Sequence, residues 1–240
     1  MNNLRLAAFL IFTLSALSSV RADLLYEWNF DDPENTFLSQ ATSSGQISAN
    51  WGADFLNTAT NGSGQLIVRR APDGVGNAFI DTDSETLGQS FNNEIWVQLE
   101  IDGWNFAGKK RGETLRLGVA QSATLSLAQI TLRRNDLDQV SVQGESFGRQ
   151  SVSMPALPMF SSVQNDPVTF IMHINIESGL FALHYKMGED PYLYLGDGIL
   201  SPAREMKLLR LSFNGYFNAS TEWFAINRIA YLSHDPMTAN

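Results

Sequence analysis

His173 and His184 are the side chains best placed to do chemistry, because the segment around them reads as a β-hairpin. With Glu177-Ser178-Gly179-Leu180 as a tight turn and Ser178-Gly179 as its two-residue loop, Ile176 pairs with Phe181, Ile174 with Leu183, Met172 with Tyr185 and Phe170 with Met187. That face is wholly apolar. The other face pairs Asn175 with Ala182, His173 with His184 and Ile171 with Lys186. A slip of one residue would bury the polar set, so this register is expected. The two imidazoles then stand side by side, with Cβ atoms about 5 Å apart. Such a pair can bind a metal, with Glu100 or Asp102 from a neighbouring strand as third ligand. It can also supply a base for β-elimination, helped by Tyr185 or Arg116. With no third group, it is two solvent-facing histidines. The catalytic candidates are therefore His173, His184, Glu100 and Arg116.

A broader polar set surrounds them. Gln98, Arg116, Gln129, Arg133, Asn175, Lys186 and Arg210 mix donors with both charge signs, and Trp104 heads the aromatic residues of the flanking loops. Flat apolar faces beside a few directional polar groups suit sugar recognition. The expected ligand-binding set is Gln98, Glu100, Asp102, Trp104, Arg116, Gln129, Arg133, His173, Asn175, His184, Lys186 and Arg210. Asp31, Asp32 and Glu34 form one acidic loop, and Asp81, Asp83 and Glu85 another. Clustered carboxylates suit calcium, which makes a structural calcium at Asp31 and Asp32 an open possibility.

The elements that must position these groups are strands. Apolar residues alternate with polar ones in Leu24–Asn29, Ile95–Asp102, Thr114–Ala120, Ala128–Arg134 and Leu208–Asn214, and Trp223–Leu232 reads as a last strand. Asn61-Gly62-Ser63-Gly64, Asp73-Gly74-Val75-Gly76, Asn135-Asp136 and Gly196-Asp197-Gly198 read as turns. Strands with one polar face and no crossover helices predict an all-β protein, a two-sheet antiparallel β-sandwich.

Tyr26-Glu27-Trp28-Asn29-Phe30-Asp31-Asp32 resembles the first strand of concanavalin A-like lectin/glucanase jelly rolls, including laminin-G-like modules, and Trp223–Leu232 resembles their last strand. The resemblance implies a jelly roll whose concave face is often used for carbohydrate, and gives Asp31 some support as a calcium ligand. Glu100-Ile101-Asp102 resembles the acidic strand motif of laminarinase-like glycosidases in this superfamily. The further Glu of that motif is missing here, where Asn105 and Phe106 stand, so the acid/base is not carried over.

Composition bounds the rest. Arg5, the apolar run Leu6–Leu17 and Val20-Arg21-Ala22 read as a cleavable leader, residues 1–22, followed by one domain over 23–240. Losing Arg5 and Arg21 takes the net charge from −9 to −11. That balance argues against nucleic acid, anionic membranes and, more weakly, polyanionic polysaccharides such as alginate, although a local basic face would overcome the last. The absence of cysteine removes disulfides, thiolate metal sites and cysteine nucleophiles, and fits a secreted or periplasmic bacterial protein. The leading expectation is an exported, non-catalytic carbohydrate-binding domain with a polysaccharide or glycan as partner. The alternatives are a polysaccharide lyase or glycoside hydrolase, and a structural or adhesive surface protein. Expression in a secreting bacterial host should give a mature protein beginning at Asp23. Intact mass spectrometry checks this, and a retained leader would overturn it.

Overall fold

The computed structural model describes residues 24–44, 51, 58–68, 75–81, 93–105, 114–122, 125–135, 137, 139–146, 160–200, 206–214 and 223–238. The expected leader, the rest of the second acidic loop (Asp83 and Glu85) and the loop residue Phe106 lie outside them. The alternating segments form strands β1 (Leu24–Trp28), β2 (Ala59–Thr60), β3 (Leu66–Val68), β4 (Val75–Asp81), β5 (Glu94–Asn105), β6 (Thr114–Ser122), β7 (Leu125–Arg134) and β8 (Gln139–Glu145). They continue as β9 (Phe160–Ser161), β10 (Val163–Gln164), β11 (Val168–Asn175), β12 (Leu180–Met187), β13 (Leu193–Ile199), β14 (Leu208–Asn214) and β15 (Trp223–Leu232). No helix among the described residues is long and apolar enough to cross a membrane.

Two antiparallel sheets result. The nine-stranded sheet runs β13-β12-β11-β5-β15-β3-β2, with β1 also on β15 and β10 also on β5. The six-stranded sheet runs β4-β14-β6-β7-β8-β9. Their inner faces meet in one core. Ile95, Val97, Leu99 and Ile101 of β5 and Phe170, Met172 and Ile174 of β11 face Leu115, Leu117, Ile130, Leu132, Val140 and Val142 from the other sheet. Tyr26 stacks on Trp28 at 6.2 Å, Trp28 meets Trp51 at 5.0 Å, and the Tyr231 hydroxyl donates across the core to the Gly118 carbonyl at 3.2 Å. This is the all-β sandwich expected from the alternation.

Two expected turns are strand instead. Gly76 lies in β4, and Gly196-Asp197-Gly198 lies in β13. Gly198 is there for packing, since a Cβ on it would come 2.4 Å from the Phe181 ring. The β11–β12 hairpin also differs from expectation by two residues. His173 faces Ala182 and His184 faces Ile171, because Ile176–Gly179 form a four-residue turn. A two-residue loop of the I′ type needs positive φ at both positions. Here Gly179 alone takes it, at 73°, while Asn175 Oδ1 accepts the Ser178 amide at 2.7 Å. The shift of two keeps every side chain on its expected face and changes only its partner.

Trp104 is a larger correction. It is fully buried in the core, where it donates from Nε1 to the Ser161 carbonyl at 3.0 Å and meets Phe160 edge-on. Between Ile101 and Gly103, β5 has one residue more than β15, a bulge that reverses the in–out alternation. Gly103 is required there, since a Cβ would lie 2.5 Å from the Gln164 carbonyl oxygen.

Gly118 is held as tightly in the other sheet. A Cβ there would lie 2.2 Å from the Ala128 carbonyl oxygen and 2.6 Å from Gln129 Cα, both backbone atoms. Gly118→Ala should therefore cost about 1–3 kcal/mol, read as a lower urea midpoint. An unchanged midpoint would mean that β6 and β7 separate more easily than this packing allows.

Candidate functional site

The twelve expected ligand-binding residues do not share one face. Glu100 alternates with core residues Leu99 and Ile101, and Arg116 with core residues Leu115 and Leu117, so each points away from its facing sheet. Gln98, Glu100, Asp102, His173, Asn175, His184 and Lys186 belong to the outside of the nine-stranded sheet. Arg116, Gln129, Arg133 and Arg210 belong to the outside of the six-stranded sheet. The catalytic set His173, His184, Glu100 and Arg116 is thus divided by the full thickness of the sandwich.

On the nine-stranded sheet, most of the expected groups are tied up in structure. Arg228 donates to Glu27 at 2.6 Å and to Glu100 at 2.9 Å, and Gln98 donates to Glu100 at 2.6 Å. Burial alone would lower the Arg228 guanidinium, but Glu100 and Glu27 outweigh it and hold it above its ordinary value. Gln65 donates to Asp102, and Asn175 donates to Glu94. Trp96 stacks on His173 at 4.5 Å with 8° between the rings, and Tyr194 lies 5.3 Å from the His184 ring. Lys186 Nζ sits 5.3 Å over Tyr192. Burial, followed by the Glu100 carboxylate, pushes the Tyr192 phenol up to about 12. Trp96, Ile171, Ala230 and Leu232 make a small apolar cluster on this outer face, packed by Leu24, Tyr192 and Met237. A groove of about 430 Å³ lies beside the β5 bulge, lined by Gln65, Ile67, Asp102, Gly103, Asn165 and Trp223 among others.

No three His, Asp or Glu side chains come together among the described residues in a group that could hold a metal ion. His173 and His184 are offset along their strands rather than opposed; Glu94 Oε1 lies 3.5 Å from His173 Nε2, while the expected third ligands Glu100 and Asp102 are held by Arg228, Gln98 and Gln65. Asp32, proposed with Asp31 for calcium, accepts the Thr42 amide at 3.0 Å and the Thr42 hydroxyl at 2.6 Å, which closes its own loop.

The six-stranded sheet presents a different surface. Register sets Arg210, Gly118, Gln129 and Glu145 side by side across β14, β6, β7 and β8, with Ser212, Arg116, Thr131 and Gln143 in the next row. Arg133, opposite Ser141, follows in the row beyond. Glu145 Oε2 accepts from Thr131 at 2.8 Å and from Gln129 at 3.0 Å, and lies 3.8 Å from Arg116 Nε. Its Oε1 accepts from Arg133 at 3.4 Å. Ser126 donates to Gln129 at 2.6 Å and accepts from Arg210 Nη1 at 3.1 Å. Burial lowers the Arg116 guanidinium most, Glu145 opposes this, and Arg133 adds to it. Burial lowers Arg210, and Arg116 adds to it. Arg116 and Arg133 therefore meet at one carboxylate, and Arg210 joins the network through Ser126. Gly118 supplies the floor between them. Glu145 and Ser126 were not among the expected residues. The alternation of Val140 and Val142 with Ser141, Gln143 and Glu145 was the signal that could have found Glu145.

No protein-family model matches the chain, and no curated protein matches it. Its fold is similar to solved jelly rolls. One is a Trypanosoma rangeli sialidase in complex with 2,3-difluoro-KDN, with a TM-score of 0.52 and 11% identity over 88% of this chain and 30% of that one. Another is the binding domain of botulinum neurotoxin DC in complex with SialylT, with a TM-score of 0.51 and 9% identity over 86% of this chain and 49% of that one. The lectin UEA-II, complexed with galactose, superposes with a TM-score of 0.48 and 10% identity over 88% of this chain and 99% of that one. The likeness is one of fold alone, an antiparallel two-sheet β-sandwich.

His184 yields a pH prediction. Burial depresses its imidazole below the ordinary value of 6.5, Asp235 partly restores it and His173 lowers it further. As pH falls through 6.5, the unfolded chain takes up a proton that the folded protein resists, so stability declines with acid. The decline stops once pH is below the lowered folded-state value. A melting curve taken from pH 8 to pH 5 should show this decline, and His184→Gln should flatten it. An equal slope in both proteins would refute the assignment.

Proposed function

We propose that this chain is an exported, non-catalytic carbohydrate-binding domain, and that its ligand lies across the outer face of the six-stranded sheet. The observation that carries this reading is the aligned network of Arg116, Gln129, Thr131, Arg133, Glu145 and Arg210 around Gly118. Sugar hydroxyls both donate and accept. The face offers guanidinium donors, a carboxylate acceptor and an amide with both capacities, each held in place by its neighbours. Arg133 is 43% exposed and Arg116 20%, so the groups are anchored yet reachable. The fold is one that lectins share, which agrees with this use without deciding it.

Binding is favoured over hydrolysis because hydrolysis by the usual route needs two carboxyl groups flanking the bond. Among its described side chains this network contains one, Glu145, and Gln129, Thr131, Arg116 and Arg133 already hold it. The lyase alternative loses its geometry, since its imidazoles and Arg116 occupy opposite outer faces.

The test is a glycan array with the mature protein, followed by calorimetry on the hits and assays for reducing ends and unsaturated products. Binding without product is expected, with Gln129→Ala lowering affinity roughly five- to tenfold, as for loss of one or two buried hydrogen bonds. Product formation would overturn the non-catalytic reading. Loss of binding in Trp223→Ala with Gln129→Ala unaffected would move the site to the groove on the nine-stranded sheet.

A further inference from the structure

The groove beside the β5 bulge is built from groups that the rest of the fold leaves open. Register sets Ile67, Ala225 and Gly103 in one row across β3, β15 and β5, and Trp223 shares the outer face of β15 with Ala225. Ala225 and Gly103 leave a low floor beside the larger Ile67 and Trp223 side chains. Asn165 flanks that floor, since a Cβ on Gly103 would lie 3.5 Å from Asn165 Cα. Asp102, the extra residue of the bulge, also lines the groove and is the only charged residue among the described ones that do. Its carboxylate is fixed from one side. The Asn61 amide donates to Gln65 Oε1 at 2.7 Å, and Gln65 Nε2 donates to Asp102 Oδ2. The Asn61–Gly64 turn thereby anchors the carboxylate through Gln65. Asp102 Oδ1 has no hydrogen-bond partner among the described residues, and neither has the exposed Asn165 side chain. Trp28, Trp51, Trp96 and Trp104 are buried, whereas Trp223 is only half-buried and stacks on no ring among the described residues.

We propose that this groove is a second saccharide site, taking an uncharged sugar ring through Trp223, Asp102 and Asn165. Its volume of about 430 Å³ is that of an ordinary small-molecule pocket. The apolar face of the ring lies against Trp223 and Ile67 over the Ala225–Gly103 floor. Neighbouring hydroxyls donate to Asp102 Oδ1, a charge-assisted bond, and accept from the Asn165 amide. An acidic sugar would bring its own carboxylate against Asp102. A small cation would pair with Asp102 but leave the Asn165 donor and the floor unused. The groove belongs to the nine-stranded sheet, so the inference does not rest on the Gln129 face. With both sites filled, one domain would hold two glycan segments on opposite sides, and binding to a polymer would gain by avidity.

The experiment follows the indole N–H resonances of the 5 tryptophans in the ¹⁵N-labelled mature protein. The protein is titrated with cellohexaose, maltohexaose, mannohexaose and oligogalacturonate, and the Trp223 signal is assigned from Trp223→Phe. At least one uncharged hexaose should move the Trp223 signal more than the other indoles. Asp102→Asn should weaken that response roughly ten- to hundredfold. Asn165→Ala should weaken it several-fold, and because Asn165 is exposed its melting temperature should stay where it was. A stronger response to oligogalacturonate than to the uncharged probes, or an equal response in Asp102→Asn, would overturn the proposal. A silent Trp223 signal, with glycan binding that is lost in Gln129→Ala, would refute the groove and leave the six-stranded face standing. A Trp223 response with binding insensitive to Gln129→Ala would support the groove and refute the other face. Absence of binding to any glycan would refute both.

Discussion

The structure depends on the seating of β15 between strands drawn from distant parts of the chain. It pairs with β5 along one edge and with β1 and β3 along the other. Its inward residues, Phe224, Ile226, Ile229 and Tyr231, are fully buried and join the aromatic cluster around Tyr26 and Trp104. Its outward Arg228 ties Glu27 of β1 to Glu100 of β5, so one guanidinium fastens the strand to both neighbours. Without β15 the nine-stranded sheet splits, leaving β1 without a strand partner and β2–β3 as a separate hairpin, and isolated hairpins are marginal in water. The Tyr231 hydroxyl then extends the hold to Gly118, the floor of the opposite sheet's polar face.

The two outer faces spend their side chains differently. On the nine-stranded sheet, charges are neutralised in pairs and an apolar cluster is packed by Tyr192 and Met237. On the six-stranded sheet, polar groups are joined into one network that centres on Glu145. Half-satisfied buried networks are costly unless something else completes them. An arrangement in which β6, β7, β8 and β14 all contribute polar side chains to adjacent rows is expensive to keep for stability alone. That contrast separates the two outer faces.

Much of the fold was legible in the alternation of residues. The strands Leu208–Asn214 and Trp223–Leu232 match their expected bounds, because a period of two with one polar face has few other readings. Bulges were not legible. The extra residue near Asp102 turns Trp104 from an expected surface aromatic into a core anchor, and no local pattern announces where a partner strand will be one residue short. The hairpin register failed for a related reason: Ser178-Gly179 and a four-residue turn ending at Gly179 predict the same faces and differ only in which pairs meet. The candidate site was half legible. Arg116, Gln129, Arg133 and Arg210 were read as outward-facing polar residues, but alternation along a strand does not say to which of two sheets the strand belongs. His173 and Arg116 could therefore be drawn together on paper while the fold holds them apart.

One edge of the nine-stranded sheet ends on β13, which carries exposed Leu193, Tyr194 and Ile199. A flat edge of this composition would invite a strand from a second molecule to extend the sheet. Between these residues lie Gly196, with φ of 144°, the exposed Asp197 and a break in pairing register between Leu183 and His184. A template for growth must be straight and unpaired for several residues. Here a kink and a carboxylate interrupt it within one short strand, so the same segment that completes the sheet also ends it, and protects the protein from self-templated aggregation at its most apolar border.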